Sequence, residues 1–389
     1  MSFLNNLFGN LQDMIRAWLG TLLPQTGPWI DLIMMALTMV VVLGFLVVTV
    51  MFLTYLERKA VARISDRVGP NRVGPLGLLQ AVADVLKLVL KELIIPRGVD
   101  RVAYLLAPVL VVASALLVYA VIPFGPRMVP ADINVALLFV VAVSSMATLA
   151  LLLAGWGSGN KFSLLGGMRA VAQLISYEIP LAFAFLGAVL AAGSLSLVRI
   201  SEAQAAYPLV LAQPLGFLIA LICGVAECNR SPFDIPEAES ELVAGYHIEY
   251  SGVGFAMFFL AEYIEMFTVS ALLALLFLGG WHGPLLPPYV WFLIKVYAIL
   301  GVMYWLRGTF PRLRVDQLLS FSWKFLLPLS MVNIVVIAFV DKLGLAERLG
   351  FLPGLLASGV VMAATVGILE MRRRRPVAKV GARLRTREA

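Results

Sequence analysis

Cysteine and histidine are both scarce in this chain, which has two of each among its 389 residues. The two cysteines, Cys223 and Cys228, are too few for a disulfide framework or for an iron–sulfur cluster, which needs about four thiolates. The chain also lacks a glycine-rich nucleotide loop after a strand, a metal-spaced set of cysteine and histidine, and a nucleophile elbow. We therefore predict packing cysteines and no cofactor bound covalently or through metal ligands.

Charged residues are scarce as well. They make up 14% of the chain, hydrophobic residues make up 61% and the mean hydropathy is +0.93, whereas soluble domains average about 25% charged and about 45–50% apolar. This composition excludes a soluble fold and predicts an all-α polytopic membrane protein, with lipid rather than nucleic acid around it. No cleavable signal is expected, because Asp13 and Arg16 interrupt the first twenty residues.

Long apolar runs predict about nine transmembrane helices, since one span needs roughly 20 apolar residues. The chain is predicted to form one transmembrane domain over 1–389, with spans at 31–56, 101–123, 132–154, 165–192, 208–226, 252–278, 289–307, 323–341 and 350–370. Leu4, Leu7, Leu11, Ile15 and Trp18 recur at helical spacing and predict an amphipathic interfacial helix before the first span.

Lysine and arginine indicate the orientation of these spans. The segments that follow the odd-numbered spans hold 24 of the 30 lysine and arginine residues, and the segments on the opposite side of the membrane hold five. The remaining one, Lys295, lies within a span. This asymmetry predicts an amino terminus outside and a cytoplasmic carboxyl terminus in the plasma (inner) membrane of a bacterium. The inside segments are then the loop 57–100, the acidic loop 227–251 and the basic tail 371–389.

The loop 57–100 contains a predicted amphipathic helix at 77–95. Gln80, Asp84, Lys87 and Lys91 step by four, three and four residues, so they share one helical face, and the rest is almost entirely leucine, valine and isoleucine. The pattern leaves two interpretations open: a helix packed on the outside of its own bundle, or a helix lying in the membrane surface.

The acidic loop concentrates negative charge in a chain whose formal charge is +7. It holds Arg230 and six carboxylates, which are Glu227, Asp234, Glu237, Glu239, Glu241 and Glu249. Part of this acidity could belong to a helix start, with Asp234 as the N-cap and Pro236 and Glu237 in the first turn. That interpretation does not account for all six carboxylates.

Glutamates also lie at membrane depth. Glu178 is near mid-membrane, two residues before a Pro180 that denies a hydrogen bond to the Ser176 carbonyl, and Glu262 and Glu265 share one face of the sixth span. Ionisable groups at this depth mark proton pathways or form ion pairs between helices. Together with the acidic loop, they favour proton handling.

Four sequence blocks, covering spans one to eight, resemble a known family. They are LERKAVARISDRVGPNRVGP with GLLQAVADVLKLVLKE, AGWGSGNKFSLLGGMRAVAQLISYEIP, AECNRSPFDIPEAESELVAGYHIEYSG followed by FFLAEY, and PRLRVDQLLSFSWKFLLPL. These blocks are similar to those of the proximal membrane subunit of respiratory complex I, the NADH–quinone oxidoreductase.

The resemblance implies a function that the residue pattern alone does not. It implies a subunit of a proton-translocating NADH:quinone oxidoreductase that forms the quinone chamber with the peripheral arm and relays quinone reduction to proton translocation. The substrate would be quinone, and FMN and iron–sulfur clusters would belong to partner subunits. Implied partners are the peripheral-arm iron–sulfur and quinone-site subunits, the small membrane subunits and the antiporter-like subunits.

Site residues carried over from this family fall into two groups. The implied proton path is Glu178, Glu227, Glu237, Glu239, Glu241 and Glu262. The implied quinone-chamber residues are Glu57, Arg58, Arg72, Asp84 and Arg230. No residue of this chain is expected to be catalytic or to bind a metal.

Departures from the family pattern include Ser65, Asp66, His247 and Ser145. Ser145 stands where some members have glutamate, so the proton path could use water or another group there. The ninth span and basic tail occur only in a subset of the family.

Two other functions stay open: the homologous subunit of a membrane-bound hydrogenase or formate hydrogenlyase, and a stand-alone ion channel or antiporter.

Overall fold

A computed structural model describes residues 7–22, 27–236, 243–344 and 350–374. Over these ranges the chain forms helices joined by turns, without a strand. The helices are α1 Leu7–Leu22, α2 Gly27–Ile64, α3 Gln80–Leu90, α4 Arg101–Leu117, α5 Ala136–Gly157, α6 Lys161–Ala192, α7 Leu197–Ala203, α8 Leu209–Ala212, α9 Pro214–Glu227, α10 Gly252–Phe277, α11 Pro288–Thr309, α12 Val315–Phe321, α13 Leu327–Lys342 and α14 Leu352–Arg374. Short 3₁₀ turns occur at Pro75–Gly77, Val118–Ala120 and Gly245–His247, and a π-helical turn, Ser322–Leu326, joins α12 to α13.

In the part of the chain that the structure describes, seven helical segments are long and apolar enough to cross a membrane. They are Trp29–Ile64, Arg101–Ala120, Ala136–Gly157, Lys161–Ala192, Gly252–Phe277, Pro288–Thr309 and Val315–Lys342. Two shorter apolar helices are Pro214–Glu227 and Leu352–Gly367. The predicted class, an all-α polytopic membrane protein, is confirmed, and the chain crosses the membrane several times.

Local sequence signals define where several of these helices begin and end. The Asp100 carboxylate accepts a hydrogen bond from the Val102 N–H at 3.0 Å, and the Asn160 side chain accepts one from the Phe162 N–H at 2.9 Å, so these residues cap α4 and α6. Pro214 and Pro288 occupy first-turn positions, where the missing N–H costs nothing. Gly193 ends α6 in the left-handed conformation, at φ 64°.

Helix α10 lies at the centre of the bundle. Its most apolar window is 78% buried within this chain, whereas the corresponding window of α2 is 22% buried. Small residues allow close packing against it: a Cβ on Gly224 of α9 would lie 2.4 Å from Val269 Cγ1 of α10. Residues on α10 are therefore within reach of several surrounding helices.

Two amphipathic segments lie outside this bundle. Helix α1 exposes Leu11 and Trp18 and is held to α2 by an Arg16–Asp31 ion pair. Helix α3 covers Gln80–Leu90 only, within the predicted 77–95, because Lys91 is already extended at ψ 138°. Its apolar side, including Val85 and Val89, is exposed on the chain.

Several predictions fall on residues outside the described ranges. They include Glu237, Glu239 and Glu241 of the acidic loop, most of the helix start proposed after Asp234, and the basic tail beyond Arg374. The division of the chain into one transmembrane domain, two inside loops and a tail stays a prediction.

Candidate functional site

Arg230 is the centre of a buried ion-pair cluster that joins the acidic loop to three helices. Its Nη1 lies 3.1 Å from Glu57 Oε1 on α2, and its Nε lies 3.0 Å from Glu262 Oε1 on α10. Arg307, near the end of α11, also pairs with Glu57. The Arg230 guanidinium lies over the Tyr263 ring, 4.4 Å from its centroid. Two glutamates are thus matched by two arginines; the side chains of Arg230, Glu57 and Glu262 are at least nine-tenths buried, whereas that of Arg307 is partly exposed.

The backbone that carries Arg230 is held from α6 by Gln173. This buried side chain donates through Nε2 to the Ala226 carbonyl at 2.8 Å and the Phe233 carbonyl at 2.7 Å. Asn229, with φ 50°, makes the tight turn between them; asparagine tolerates this left-handed conformation. Because one anchor is in the last turn of α9 and the other is in the loop that follows it, Gln173 fixes the short backbone segment that carries both Glu227 and Arg230.

A cation-lined cavity opens beside this cluster at the end of α2. It has a volume of about 360 Å³, and its charged lining residues are Glu57, Arg58, Arg67 and Arg307. Its wall is completed by the turn at Gly69 and Pro70. With three arginines and one glutamate, this cavity suits a ligand that carries or gains negative charge.

A second cavity, which we call the carboxylate cavity, lies deeper in the bundle. It has a volume of about 50 Å³ and is lined by Glu178 of α6, Glu227 of α9 and Glu265 of α10. None of the described residues around it is a lysine, arginine or histidine. Its lining also includes the hydroxyl side chains Ser114, Ser144, Thr148 and Thr268.

This lining is suited to water and protons. The volume exceeds the roughly 10–15 Å³ that one water needs, and the wall offers several polar partners. Carboxylates that share one small cavity interact, so their protons leave in successive steps whose apparent pKa values belong to the set rather than to single residues. The carboxylate cavity can therefore hold and exchange protons.

Helix α10 connects the two sites. Glu262 and Glu265 are three residues apart, so they lie on one side of the helix and about 4.5 Å apart along its axis. Glu262 contacts Arg230, and Glu265 lines the carboxylate cavity. Ionisable groups thus follow one another from Glu57 through Arg230 to Glu262, and Glu265 of the carboxylate cavity lies about one helical turn further along α10.

Both cysteines are free and buried. Burial, reinforced by the Glu227 and Glu265 carboxylates, raises the pKa of the Cys228 thiol well above its ordinary value. Cys228 is therefore an inert packing side chain next to the carboxylate cavity. Over the ranges described, no group of three or more histidine, cysteine, aspartate or glutamate side chains has the geometry of a metal site.

The structure gathers most, but not all, of the residues named from the sequence. Glu178 and Glu227 meet in the carboxylate cavity, and Glu57, Arg230 and Glu262 meet in the ion-pair cluster. Glu262 forms an ion pair with Arg230, which is the alternative role that the sequence left open for an intramembrane glutamate.

Three other predicted positions lie at the margin. Asp84 pairs with Arg58 beside the cation-lined cavity. Arg72 is exposed and does not belong to the lining of that cavity. Ser145 donates to the Ala142 carbonyl of its own helix, whereas its neighbour Ser144 lines the carboxylate cavity.

Sequence reasoning missed Arg307 and Gln173 as site residues. It placed Glu265 on the same face as Glu262 but did not include it in the proton path. Arg307 was counted only toward membrane orientation, and its partner Glu57 is 250 positions away in the chain. Gln173 carried a weaker signal, a lone amide within an apolar span.

Comparison with known proteins identifies the family. The family model described as NADH dehydrogenase matches residues 37–338, which is most of the chain. The matched region includes α3 and all the residues of the ion-pair cluster and the carboxylate cavity.

Three curated relatives, each named as an H subunit of an NADH-quinone oxidoreductase, resemble the chain over most of its length. One from Syntrophobacter fumaroxidans is 51% identical over 305 residues, which is 76% of this chain and 92% of the relative. One from Geobacillus kaustophilus is 54% identical over 303 residues, covering 76% and 91% of the two chains. One from Carboxydothermus hydrogenoformans is 47% identical over 339 residues, covering 86% and 96%. The chain belongs to the NADH dehydrogenase family represented by these H subunits.

Proposed function

We propose that this chain is the membrane subunit of a proton-translocating NADH:quinone oxidoreductase that forms the quinone chamber with the peripheral arm. In this role it relays quinone reduction to proton translocation through buried glutamates. FMN and iron–sulfur clusters would be carried by partner subunits, and this chain would supply binding, electrostatics and proton transfer. The names of the relatives support the assignment to this enzyme.

The observation that carries the proposal is the connection between the two cavities. The cation-lined cavity includes Glu57, which shares Arg230 with Glu262. One helical turn further along α10, Glu265 lines the carboxylate cavity with Glu178 and Glu227. A charge change in the first cavity thus has a short electrostatic route to the second.

The magnitudes are adequate for such a relay. Two unit charges 4 Å apart interact by about 4 kcal/mol at an effective dielectric of about 20. One pH unit of protonation equilibrium corresponds to about 1.4 kcal/mol. Negative charge on a reduced headgroup near Glu57 would therefore shift proton occupancy by a few pH units, and the change would pass along the glutamates.

Quinone is proposed to enter laterally, between α3 and the bundle. A long isoprenoid tail partitions into lipid and needs an apolar slot, and α3 exposes Val85, Leu86 and Val89. Its polar side is tied to α2 through the Arg58–Asp84 ion pair, next to the cation-lined cavity. The headgroup would then meet charged residues while the tail stays on the apolar side.

The proposal includes an orientation of the chain in the membrane. The lysine and arginine distribution supports a bacterial plasma membrane location with the amino terminus outside and the carboxyl terminus in the cytoplasm. The cation-lined cavity and the acidic loop then face the cytoplasm, where a peripheral arm would dock. Glu237, Glu239 and Glu241 would complete the chamber end of the proton path.

Replacing Val85 with tryptophan is expected to impair long-tailed quinones more than short-chain analogues. The added ring would obstruct an apolar slot that the short analogue does not need. We expect the Michaelis constant for the long-tailed quinone to rise by roughly fivefold or more, equivalent to about 1 kcal/mol. Quinone reduction by the assembled enzyme in lipid vesicles measures this effect.

Lys87→Trp is the matched control, because Lys87 lies on the polar side of the same helix and receives the same replacement. This variant should treat both quinones as the unmodified enzyme does. Equal impairment of long and short quinones in Val85→Trp would argue against lateral entry.

Mass spectrometry of the intact assembly, purified through this chain, tests the enzyme assignment. We expect an NADH-oxidising flavoprotein module and quinone-dependent proton uptake into vesicles when NADH is added. A nickel–iron hydrogenase in its place would support the hydrogenase or formate hydrogenlyase alternative. Ion transport by the purified single chain in liposomes would support a stand-alone channel or antiporter.

A further inference from the structure

The backbone hydrogen-bond pattern of helix α6 is interrupted at Pro180, two residues after Glu178. Pro180 has no N–H, so the carbonyl of Ser176 cannot receive the usual helical hydrogen bond. In the structure this carbonyl accepts a hydrogen bond from the Ser322 hydroxyl, which belongs to a different membrane segment. The Ser176 hydroxyl in turn accepts a bond from the Trp323 indole Nε1 at 3.0 Å. The carbonyl and the hydroxyl of Ser176 thus both accept hydrogen bonds from outside their own helix, while the hydroxyl donates to the Ala172 carbonyl within it.

The two donors come from the π-helical turn Ser322–Leu326 between α12 and α13. Such turns insert an extra residue into a helix and occur frequently at functional sites. Here, two consecutive residues, Ser322 and Trp323, both reach Ser176. Ser322 is fully buried, so no water can substitute for its hydroxyl without rearrangement.

These contacts act on the back of the helix that carries Glu178. Ser176 and Glu178 are two residues apart, which is about 200° around a helix. Glu178 lines the carboxylate cavity, and neither Ser322 nor Trp323 belongs to its lining. The contacts can therefore set the position of Glu178 without touching the cavity or its protons.

The same segment is fixed to the acidic loop at its other end. Leu313 N–H donates to the Pro232 carbonyl at 3.1 Å, and Arg312 Nη2 lies 3.1 Å from Asp234 Oδ2. Between these contacts and Ser322, the Leu318 carbonyl accepts a bond from the Tyr177 hydroxyl at 3.1 Å. Residues 312–323 thus contact both the acidic loop and the turn that precedes Pro180.

We propose that Ser322 and Trp323 are positioning residues for Glu178, which hold the open turn of α6 so that Glu178 stays in register with Glu227 in the carboxylate cavity. This inference rests on the proposed proton relay. Ser322 is the main positioning residue because its hydroxyl replaces the missing Pro180 N–H as the donor to the Ser176 carbonyl. Trp323 restrains the same turn through the Ser176 side chain.

The test is a comparison of Ser322→Ala with Glu178→Gln, singly and together, in the assembled enzyme. We expect Ser322→Ala to lower proton pumping per complex by roughly threefold to tenfold, as the loss of one hydrogen bond would. In the Glu178→Gln background the same substitution should cause no further loss, since its effect passes through Glu178. Subunit quantification by mass spectrometry normalises each rate to assembled enzyme.

Two further variants separate positioning from general packing. Ser330→Ala removes an equally buried hydroxyl that bonds the Leu327 carbonyl of its own helix, and it should pump normally. Pro180→Ala restores an N–H that can bond the Ser176 carbonyl, so Ser322→Ala should cost less in that background than alone.

Each outcome decides one of the two hypotheses. Impaired pumping in Glu178→Gln with normal pumping in Ser322→Ala overturns the positioning role and leaves the relay intact. Full pumping in Glu178→Gln removes Glu178 from the relay and overturns the positioning role with it, whereas full pumping in Glu227→Gln as well would defeat the relay itself. Losses of Ser322→Ala and Glu178→Gln that multiply would mean that Ser322 acts on something other than Glu178, which also overturns the inference.

Discussion

Replacing Arg230 with alanine should nearly abolish assembly of an active enzyme. Arg230 bonds Glu57 and Glu262 at 3.1 and 3.0 Å, and all three side chains are at least nine-tenths buried. Its loss removes an ion pair from each of two buried carboxylates. Removing one partner of a buried pair typically costs about 3–5 kcal/mol, which is a large part of the stability of a typical domain.

The measurement is the amount of assembled complex in membranes together with its NADH–quinone rate. Arg16→Ala is the control, since both side chains of the Arg16–Asp31 pair are exposed and exposed pairs contribute about 0–1 kcal/mol to stability. A double variant, Arg230→Ala with Glu262→Gln, should recover part of the assembly by removing one of the two buried negative charges. Normal assembly of Arg230→Ala would mean that the cluster is solvated in the membrane and not a structural centre.

Glutamine substitutions in the carboxylate cavity should lower proton pumping strongly. Glu178→Gln and Glu227→Gln keep the size of each side chain and its ability to hydrogen-bond but remove the exchangeable carboxyl proton. A positioned acid or base contributes about 100-fold to 10,000-fold to proton transfer, so we expect a loss of about tenfold or more in each variant. Glu265→Gln should behave in the same way because it lines the same cavity.

Proton uptake by vesicles, divided by the amount of assembled complex, gives the result. The double variant Glu178→Gln with Glu265→Gln should be little worse than either single variant, since residues that act as one unit are not additive. Glu202→Gln is the control, because Glu202 is an exposed glutamate on α7. Full pumping in both Glu178→Gln and Glu227→Gln would defeat the relay.

Glu178 illustrates how far local sequence information reaches. Its depth in a span and the free carbonyl created by Pro180 follow from residue counting and from the missing N–H of proline. The group that satisfies this carbonyl does not follow, because Ser322 is 146 residues further along the chain. No period of 3.6 residues relates two positions at that separation.

Glu262 shows the same limit from the other side. Sequence alone left two roles open for an intramembrane glutamate, an ion pair or proton handling. The fold separates two neighbours on one helix: Glu262 contacts Arg230, while Glu265, three residues later, lines the carboxylate cavity. A rotation of about 60° around α10 is enough to give them different partners.

Composition and the length of the apolar runs by themselves determined that this protein is a helical, multi-pass membrane protein. A chain with so few charges lies in lipid, where it can satisfy its backbone hydrogen bonds only by forming helices or a closed barrel. The apolar runs have the length of membrane-spanning helices. They also placed glutamates among the spans. The tertiary structure alone decided which charges meet: Glu57 with Arg230 across 173 residues, and Glu178 with Glu227 and Glu265 in one cavity. The reason is physical, since helix formation depends on neighbours along the chain, whereas ion pairs and cavities depend on how faces of distant helices pack against one another.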